Sequence, residues 1–93
     1  MDVEIFENFG EVKVIDKYGR AIVKAYVKAY ILETNNEILF YKDGYTDFRG
    51  IFNYASLNSS EMKKIQKFSL LIISEEHGAL IRECNPPNVD LSF

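Results

Sequence analysis

The residues best suited to covalent chemistry are one histidine and one cysteine, His77 and Cys84. A thiol beside an imidazole base is an activated nucleophile. This pair lacks a third group to orient the base and a glycine-rich stretch to hold an oxyanion. His77 reads instead as a solvated turn residue in Glu75-Glu76-His77-Gly78, and Cys84 as a small apolar residue at a strand end. One histidine and one cysteine also fall short of the four ligands a structural zinc site takes. The sequence therefore predicts a non-enzymatic chain with no cofactor and no metal.

Two other groupings have chemistry in their spacing. Asp43 and Asp47, with Asp16, offer oxygen ligands for calcium. The D-G-Y-T-D spacing lacks the dense alternating acids of a calcium loop, so bonding of these carboxylates to local backbone amides is the favoured reading. Tyr26, Tyr30 and Tyr41, interleaved with Lys24 and Lys28, form the candidate binding surface. Aromatic rings stack on sugar faces and mark interfaces. Tyrosine is also simply a good strand former, and the chain has no tryptophan. Lys63, Lys64 and Lys67 are balanced by Glu61 and read as a solvated face.

The elements that must position these residues alternate with period two. Val3 to Phe6 is a short apolar run, and Glu11 to Ile15 puts Val12 and Val14 on one face. Asp16-Lys17-Tyr18-Gly19-Arg20 reads as an Asx-type turn with Gly19 at positive φ. A long strand follows. Val23, Ala25, Val27, Ala29 and Ile31 share its core face, while Lys24, Tyr26, Lys28, Tyr30 and Leu32 share the other. A two-residue turn at Asn35-Asn36 predicts that Ile31 faces Phe40, Tyr30 faces Tyr41 and Lys28 faces Asp43. That register sends Lys42 inward beside Ala29 and predicts a bulge near Asp43-Gly44.

Asp43-Gly44 and Arg49-Gly50 punctuate the next corner. Ile51 to Ala55 is then a strand with Phe52 and Tyr54 on one face. Asn58 and Glu61 form a capping box, which predicts a short helical connector from Ser59 to Gln66 with Met62 and Ile65 facing inward. Phe68 to Ser74 is nearly all apolar and predicts a strand buried on both faces, with Leu71→Ala and Ile72→Ala each costing ~2–5 kcal/mol. Ala79 to Cys84 is its partner, and Pro86-Pro87 ends pairing.

The 93 residues fit one small domain. A net charge of −3 weighs against nucleic-acid binding, which wants a basic stripe. One cysteine excludes an internal disulfide. No apolar run approaches the ~20 residues of a membrane helix, so no membrane insertion is expected. The acidic start M-D-V-E-I-F-E-N lacks a signal-peptide layout.

The runs G-R-A-I-V-K-A-Y-V-K-A-Y and F-Y-K-D-G-Y-T-D-F-R-G-I-F-N-Y resemble carboxypeptidase-regulatory-like, transthyretin-like β-sandwich domains. Those domains carry a glycine turn, a strand of small and β-branched residues, and a Thr-Asp-x-x-Gly corner before an aromatic strand. Here that corner is Thr46-Asp47-Phe48-Arg49-Gly50, with Asp43 and Gly44 leading into it. The later run K-F-S-L-L-I-I-S-E-E-H-G-A-L-I-R-E is similar to C-terminal segments of large macroglobulin-domain proteins. The resemblance covers about Val12 to Pro87. It implies a non-catalytic accessory or interaction domain within a longer polypeptide. The chain departs from a hormone-carrying transthyretin in length and in its Asn58–Lys67 connector.

The expectation is a single all-β, Greek-key β-sandwich of about seven strands with one short helical connector. Its predicted role is a structural or protein–protein interaction module of a larger multidomain protein. The alternative is a carbohydrate-binding module using the tyrosine face. The expected partners are other domains of the parent protein or a protein partner, with self-association by edge pairing also open. Strand addition would use Val3–Ile15 or Asn88–Phe93 as the free edge.

Overall fold

A computed structural model describes residues 1–55 and 62–87. Seven strands build two antiparallel sheets packed as a sandwich. They are β1 (Asp2–Phe6), β2 (Glu11–Ile15), β3 (Tyr26–Glu33), β4 (Ile38–Tyr45), β5 (Ile51–Asn53), β6 (Ile65–Ser74) and β7 (Gly78–Cys84). One sheet has the order β1-β2-β5 and the other β4-β3-β6-β7. The chain changes sheet after β2, after β4 and after β5, so β6 lies beside β3 and not beside its predecessor. A 3-10 turn, Glu7–Phe9, joins β1 to β2.

Period-two alternation decides what is inside. Val12 and Val14 from the smaller sheet meet Val27, Ala29, Phe68, Leu70 and Ile72 from the larger one, and all are fully buried. Tyr54 lies edge-on to Phe68, with ring centroids 5.0 Å apart. Its hydroxyl donates to the Asn85 carbonyl oxygen at 3.1 Å, which satisfies the one polar atom this ring takes into the core.

The structure corrects the sequence expectations in several places. β3 begins at Tyr26, not near Val23. The hydroxyl of buried Thr46 donates to the Ile22 carbonyl and accepts from the Ala25 amide, so the backbone turns over Thr46 where a strand was expected. Lys24 takes φ +60° in that turn, and Val23 points out, 49% exposed.

The β3–β4 loop is one residue longer than expected. The Glu33 amide bonds to Glu37 O, and Asn36 adopts φ +70°. A three-residue loop pairs Leu32 with Ile38, Ile31 with Leu39 and Tyr30 with Phe40. Beyond the loop the register shifts by one, and Ala29 pairs with Lys42 and Lys28 with Asp43. The extra residue is Tyr41. A bulge puts its two residues on the same side, so Tyr41 and Lys42 both face inward. Lys42 resolves its position by lying at the open side, its ammonium 5.4 Å from the Phe52 ring centroid. Asp43 and Gly44 belong to β4 and not to the corner. Gly44 faces the second sheet, where a Cβ would lie 2.7 Å from the Phe52 ring.

β6 is buried on one face only. Phe68, Leu70 and Ile72 are inside, while Leu71 is half-buried and Ile73 exposed. The strand is central in its sheet, but nothing among the described residues covers its outer side. β6 also starts at Ile65, so the expected helix does not reach Gln66; its first residues and capping box, up to Glu61, lie outside the described residues. Met62 and Ile65 are buried. Of the expected free edges, β1 is an edge but β2 is interior, and the segment 88–93 lies outside the described residues.

Candidate interaction surface

The outward residues of the larger sheet form a grid. Tyr45, Tyr26, Ile73 and Ala79 make one row across its strands. Asp43, Lys28, Leu71 and Ile81 make the next, and Phe40, Tyr30, Ser69 and Glu83 a third. Ile38, Leu32 and Lys67 close the far end. Phe40 is 53% exposed, Tyr45 65% and Ile38 71%, while Tyr26, Tyr30, Leu32 and Leu71 are half-buried.

Tyr26 and Tyr45 lie 5.6 Å apart, and Tyr30 meets Phe40 edge-on at 6.2 Å. Such cross-strand aromatic pairs hold one another in place before any ligand arrives. Between the two pairs, the Lys28 ammonium sits 5.2 Å from the Tyr30 ring centroid and 5.6 Å from that of Phe40. A hydrogen bond with the Tyr30 oxygen is the largest cause holding the Lys28 pKa above its ordinary value. The Tyr26 hydroxyl donates to Asp43 Oδ2 at 2.7 Å, and this bond pushes the phenol's pKa up. The surface is thus aromatic with one cation and one anion near its centre.

Two clefts open on this face. One of about 520 Å³ lies at the end where β2 leaves for β3, lined by Tyr26, Tyr45, Ile73, Lys24 and the turn of Glu75, Glu76 and His77. The other, about 370 Å³, lies toward the opposite end, lined by Tyr30, Leu32, Ile38, Lys67 and Glu83.

Of the residues picked from sequence, Tyr26, Tyr30 and Lys28 share this face, and Lys24 reaches its end cleft. Tyr41 does not join them. The bulge turns it against the core, its ring edge-on to Phe68 at 5.5 Å. The expected three-tyrosine platform is therefore absent, and Phe40 and Tyr45 stand where a third ring was sought. The signal that would have found them is the length of the β3–β4 loop, which sets which of Phe40 and Tyr41 points outward. Lys63 and Lys64 are exposed, and Lys67 belongs to the outward grid.

The acids are all engaged locally. Asp16 accepts from the Tyr18 and Arg20 amides and from Arg20 Nε. Asp47 accepts from the Arg49 and Ile51 amides and from the Arg49 guanidinium. Both carboxyls are held below the ordinary value, Asp16 first by the Arg20 amide and Asp47 first by the Arg49 side chain. Among the described residues no three metal-binding side chains gather. Gly50 closes the Asp47 corner at φ +75°, where a Cβ would lie 2.7 Å from the Val14 carbonyl oxygen. Asp43, tied to Tyr26, belongs to the aromatic face instead.

His77 precedes β7 and Cys84 ends it, with the strand between them spanning roughly 20 Å. Burial pushes the Cys84 thiol up to about 11, which removes thiolate character at neutral pH. His77 lies in the turn, 3.8 Å from the Glu76 carboxylate.

Comparison with known proteins gives this sandwich its relations. No solved structure matches it significantly. Actin-binding protein F of Dictyostelium discoideum is 38% identical over 86 residues, which cover 91% of this chain and 4% of that protein. The chain therefore spans a small part of the length of the curated relative it matches. A family model described as the AbpF C-terminal domain matches residues 1–89. The match supports the expected β-sandwich as an immunoglobulin-like one; it lends nothing to the narrower carboxypeptidase-regulatory-like, transthyretin-like or macroglobulin-like resemblance. With nearly its whole length matched, this chain belongs to the AbpF C-terminal domain family of immunoglobulin-like β-sandwich modules.

Proposed function

We propose that this chain is a non-catalytic interaction module of a larger, actin-associated polypeptide, and that the aromatic face of the four-stranded sheet holds a protein partner. One observation carries the reading: Tyr26 with Tyr45 and Tyr30 with Phe40 form two ring pairs, separated by Lys28 and Asp43, on the outside of a sheet whose core needs none of them. Contiguous exposed aromatic residues are the composition of contact surfaces, and soluble domains rarely leave such patches unused. The link to actin is carried by the name of the relative alone, so filamentous actin is the partner to test first.

A sugar platform is less well supported. It wants flat, coplanar rings, whereas the two ring pairs here are tilted at 59° and 79° and Tyr41 faces the core.

Co-sedimentation with actin filaments tests the proposal. The wild type is expected to pellet with filaments, and a Tyr30→Ala, Phe40→Ala double variant with an unchanged melt is expected to stay in the supernatant. Equal pelleting of both proteins would reject the face. A wild type that never pellets would reject direct actin contact.

A further inference from the structure

Each sheet of an open sandwich leaves two strand edges, and an edge with free backbone groups is a template for another strand. Three of the four edges here are blunted. β5 is three residues long. β4 is interrupted by the bulge at Tyr41. β1 is five residues long and carries Asp2 and Glu4 on its outward face. Among the described residues β7 is the least protected edge, with Glu83 its one outward charge. It runs seven residues from Gly78 to Cys84, contains no proline, and pairs with β6 along its whole length with no register shift.

The direction of its free groups can be read from one contact. The Arg82 side chain donates to the Ile81 carbonyl oxygen at 3.3 Å, which it can reach only if that carbonyl points away from β6. In an antiparallel sheet the N–H and C=O of one residue point to the same side, and the sides alternate along the strand. Ala79, Ile81 and Glu83 therefore present their backbone groups to the open edge, while Gly78, Leu80, Arg82 and Cys84 spend theirs on β6. Ile81 is also 64% exposed on the outer face, directly beside Leu71.

We propose that β7 is a self-pairing edge, joining a second copy of this chain antiparallel about a two-fold axis at Ile81. The sequence of the strand selects that register. With Ile81 opposite its symmetry mate, Ala79 faces Glu83 and Leu80 faces Arg82, and no like charges meet. All three outward residues of each copy then find partners. Moving the axis to Arg82 or Glu83 sets two like charges opposite each other, which destabilises a pair. Moving it to Leu80 places Ala79 opposite Ile81 and leaves Glu83 to pair beyond the strand, with His77 of the turn. The Ile81 register also joins Leu71 and Ile81 of each copy into one apolar stripe across the axis. Such an interface is isologous and closes as a dimer, so it does not propagate into a fibre. What it displaces is the exposed contact of Arg82 with the Ile81 carbonyl oxygen.

Disulfide trapping tests the register. Residues paired across the axis at a hydrogen-bonded site have Cα atoms about 5.5 Å apart. That lies within the roughly 4.4–6.8 Å a disulfide spans. Ile81→Cys is expected to give a covalent dimer rapidly with copper phenanthroline as oxidant. Ala79→Cys is expected to cross-link far more slowly, since its symmetry mate lies about 13 Å away along the strand. Cys84 is buried in both and in the wild-type control. Sedimentation equilibrium supplies the second readout: Ile81→Lys is expected to weaken dimerisation at least about tenfold, because it sets two cations on the axis. Tyr30→Ala with Phe40→Ala is expected to leave the dimer intact, so this inference and the partner proposal fail separately. A wild type that stays monomeric to millimolar concentration would overturn self-pairing. So would equal cross-linking at positions 79 and 81, or a dimer indifferent to Ile81→Lys.

Discussion

The two sheets have similar inner faces and very different outer ones. Outside the three-stranded sheet lie Asp2, Glu4, Glu11, Lys13 and Asn53 together with Phe6, Ile15 and Ile51, with Glu4 opposite Lys13 across β1 and β2. Outside the four-stranded sheet lie Tyr26, Tyr30, Phe40, Tyr45, Leu71, Ile73 and Ile81, with Lys28, Asp43, Lys67 and Glu83 among them. Strand propensity alone does not explain the four rings of the second set, because the first shows that this fold forms with a mostly polar outer face carrying one ring, Phe6. Both inner faces are apolar because the core requires it. The outer faces are free to differ, and the aromatic one is the face proposed above to hold a partner.

That contrast can be broken at its common base. Phe68→Ala removes the ring that Tyr41 and Tyr54 both pack against and leaves a cavity between the sheets. A loss of ~3–5 kcal/mol in denaturant melts is expected. Ile72→Ala, fully buried on the same strand, should cost ~2–4 kcal/mol. Leu71→Ala, one residue away on the outer face, should cost less than Ile72→Ala, about 1–2 kcal/mol, because part of its surface is already wet. Equal losses at positions 71 and 72 would mean that the outer face is covered and that the contrast between the two sides of β6 does not hold.

The next effect concerns the turn that ends β3 early. Thr46→Val keeps the shape but removes the hydroxyl that serves Ile22 O and the Ala25 amide, both buried. A cost of about 1–3 kcal/mol is expected, with Thr46→Ser recovering most of it. Full stability of the valine variant would show that the residues over Thr46 fold without it.

Much of this architecture was readable from residue order. Alternation placed Val12, Val14, Val27 and Ala29 inside, and the glycine-marked turns fell where Gly19, Gly50 and Gly78 sit at positive φ. What misled was local and physical. Val23 continues the alternating pattern, but Thr46, twenty-three residues later in the chain, takes the hydrogen bonds of that backbone; no window on residues 20–30 contains that information. A single added loop residue at Asn36 exchanged Tyr41 for Phe40 on the outer face, because side chains alternate with every step. The Phe68–Ser74 run is apolar on both sides, and burial on both sides is the usual meaning of such a run. Here its outer half belongs to the exposed face instead. The residues picked on β3, Tyr26, Lys28 and Tyr30, thus share its outer face as alternation implied, while on β4 the outward ring is Phe40 and not Tyr41.

The smallest effect is on pH. The lowered pKa of Asp47 means that its contribution to stability is complete above the ordinary carboxylate value of 3.8 and is lost as pH falls through the lower, folded value. Asp16 follows the same sign. Both carboxylates sit at the end of the molecule where β2 meets β5, and the aromatic face contributes neither of them. Asp47→Asn should therefore flatten the loss of stability between pH ~4 and pH ~2 while leaving partner binding at neutral pH unchanged. The amide can still accept through its oxygen but cannot pair with Arg49, so the melt at pH 7 should fall slightly and the melt at pH 2 hardly at all. A variant that keeps the wild-type acid slope would place the acid-sensitive contacts elsewhere, and one that loses binding would tie the corner to the aromatic face through β4, whose end leads directly into Thr46 and Asp47.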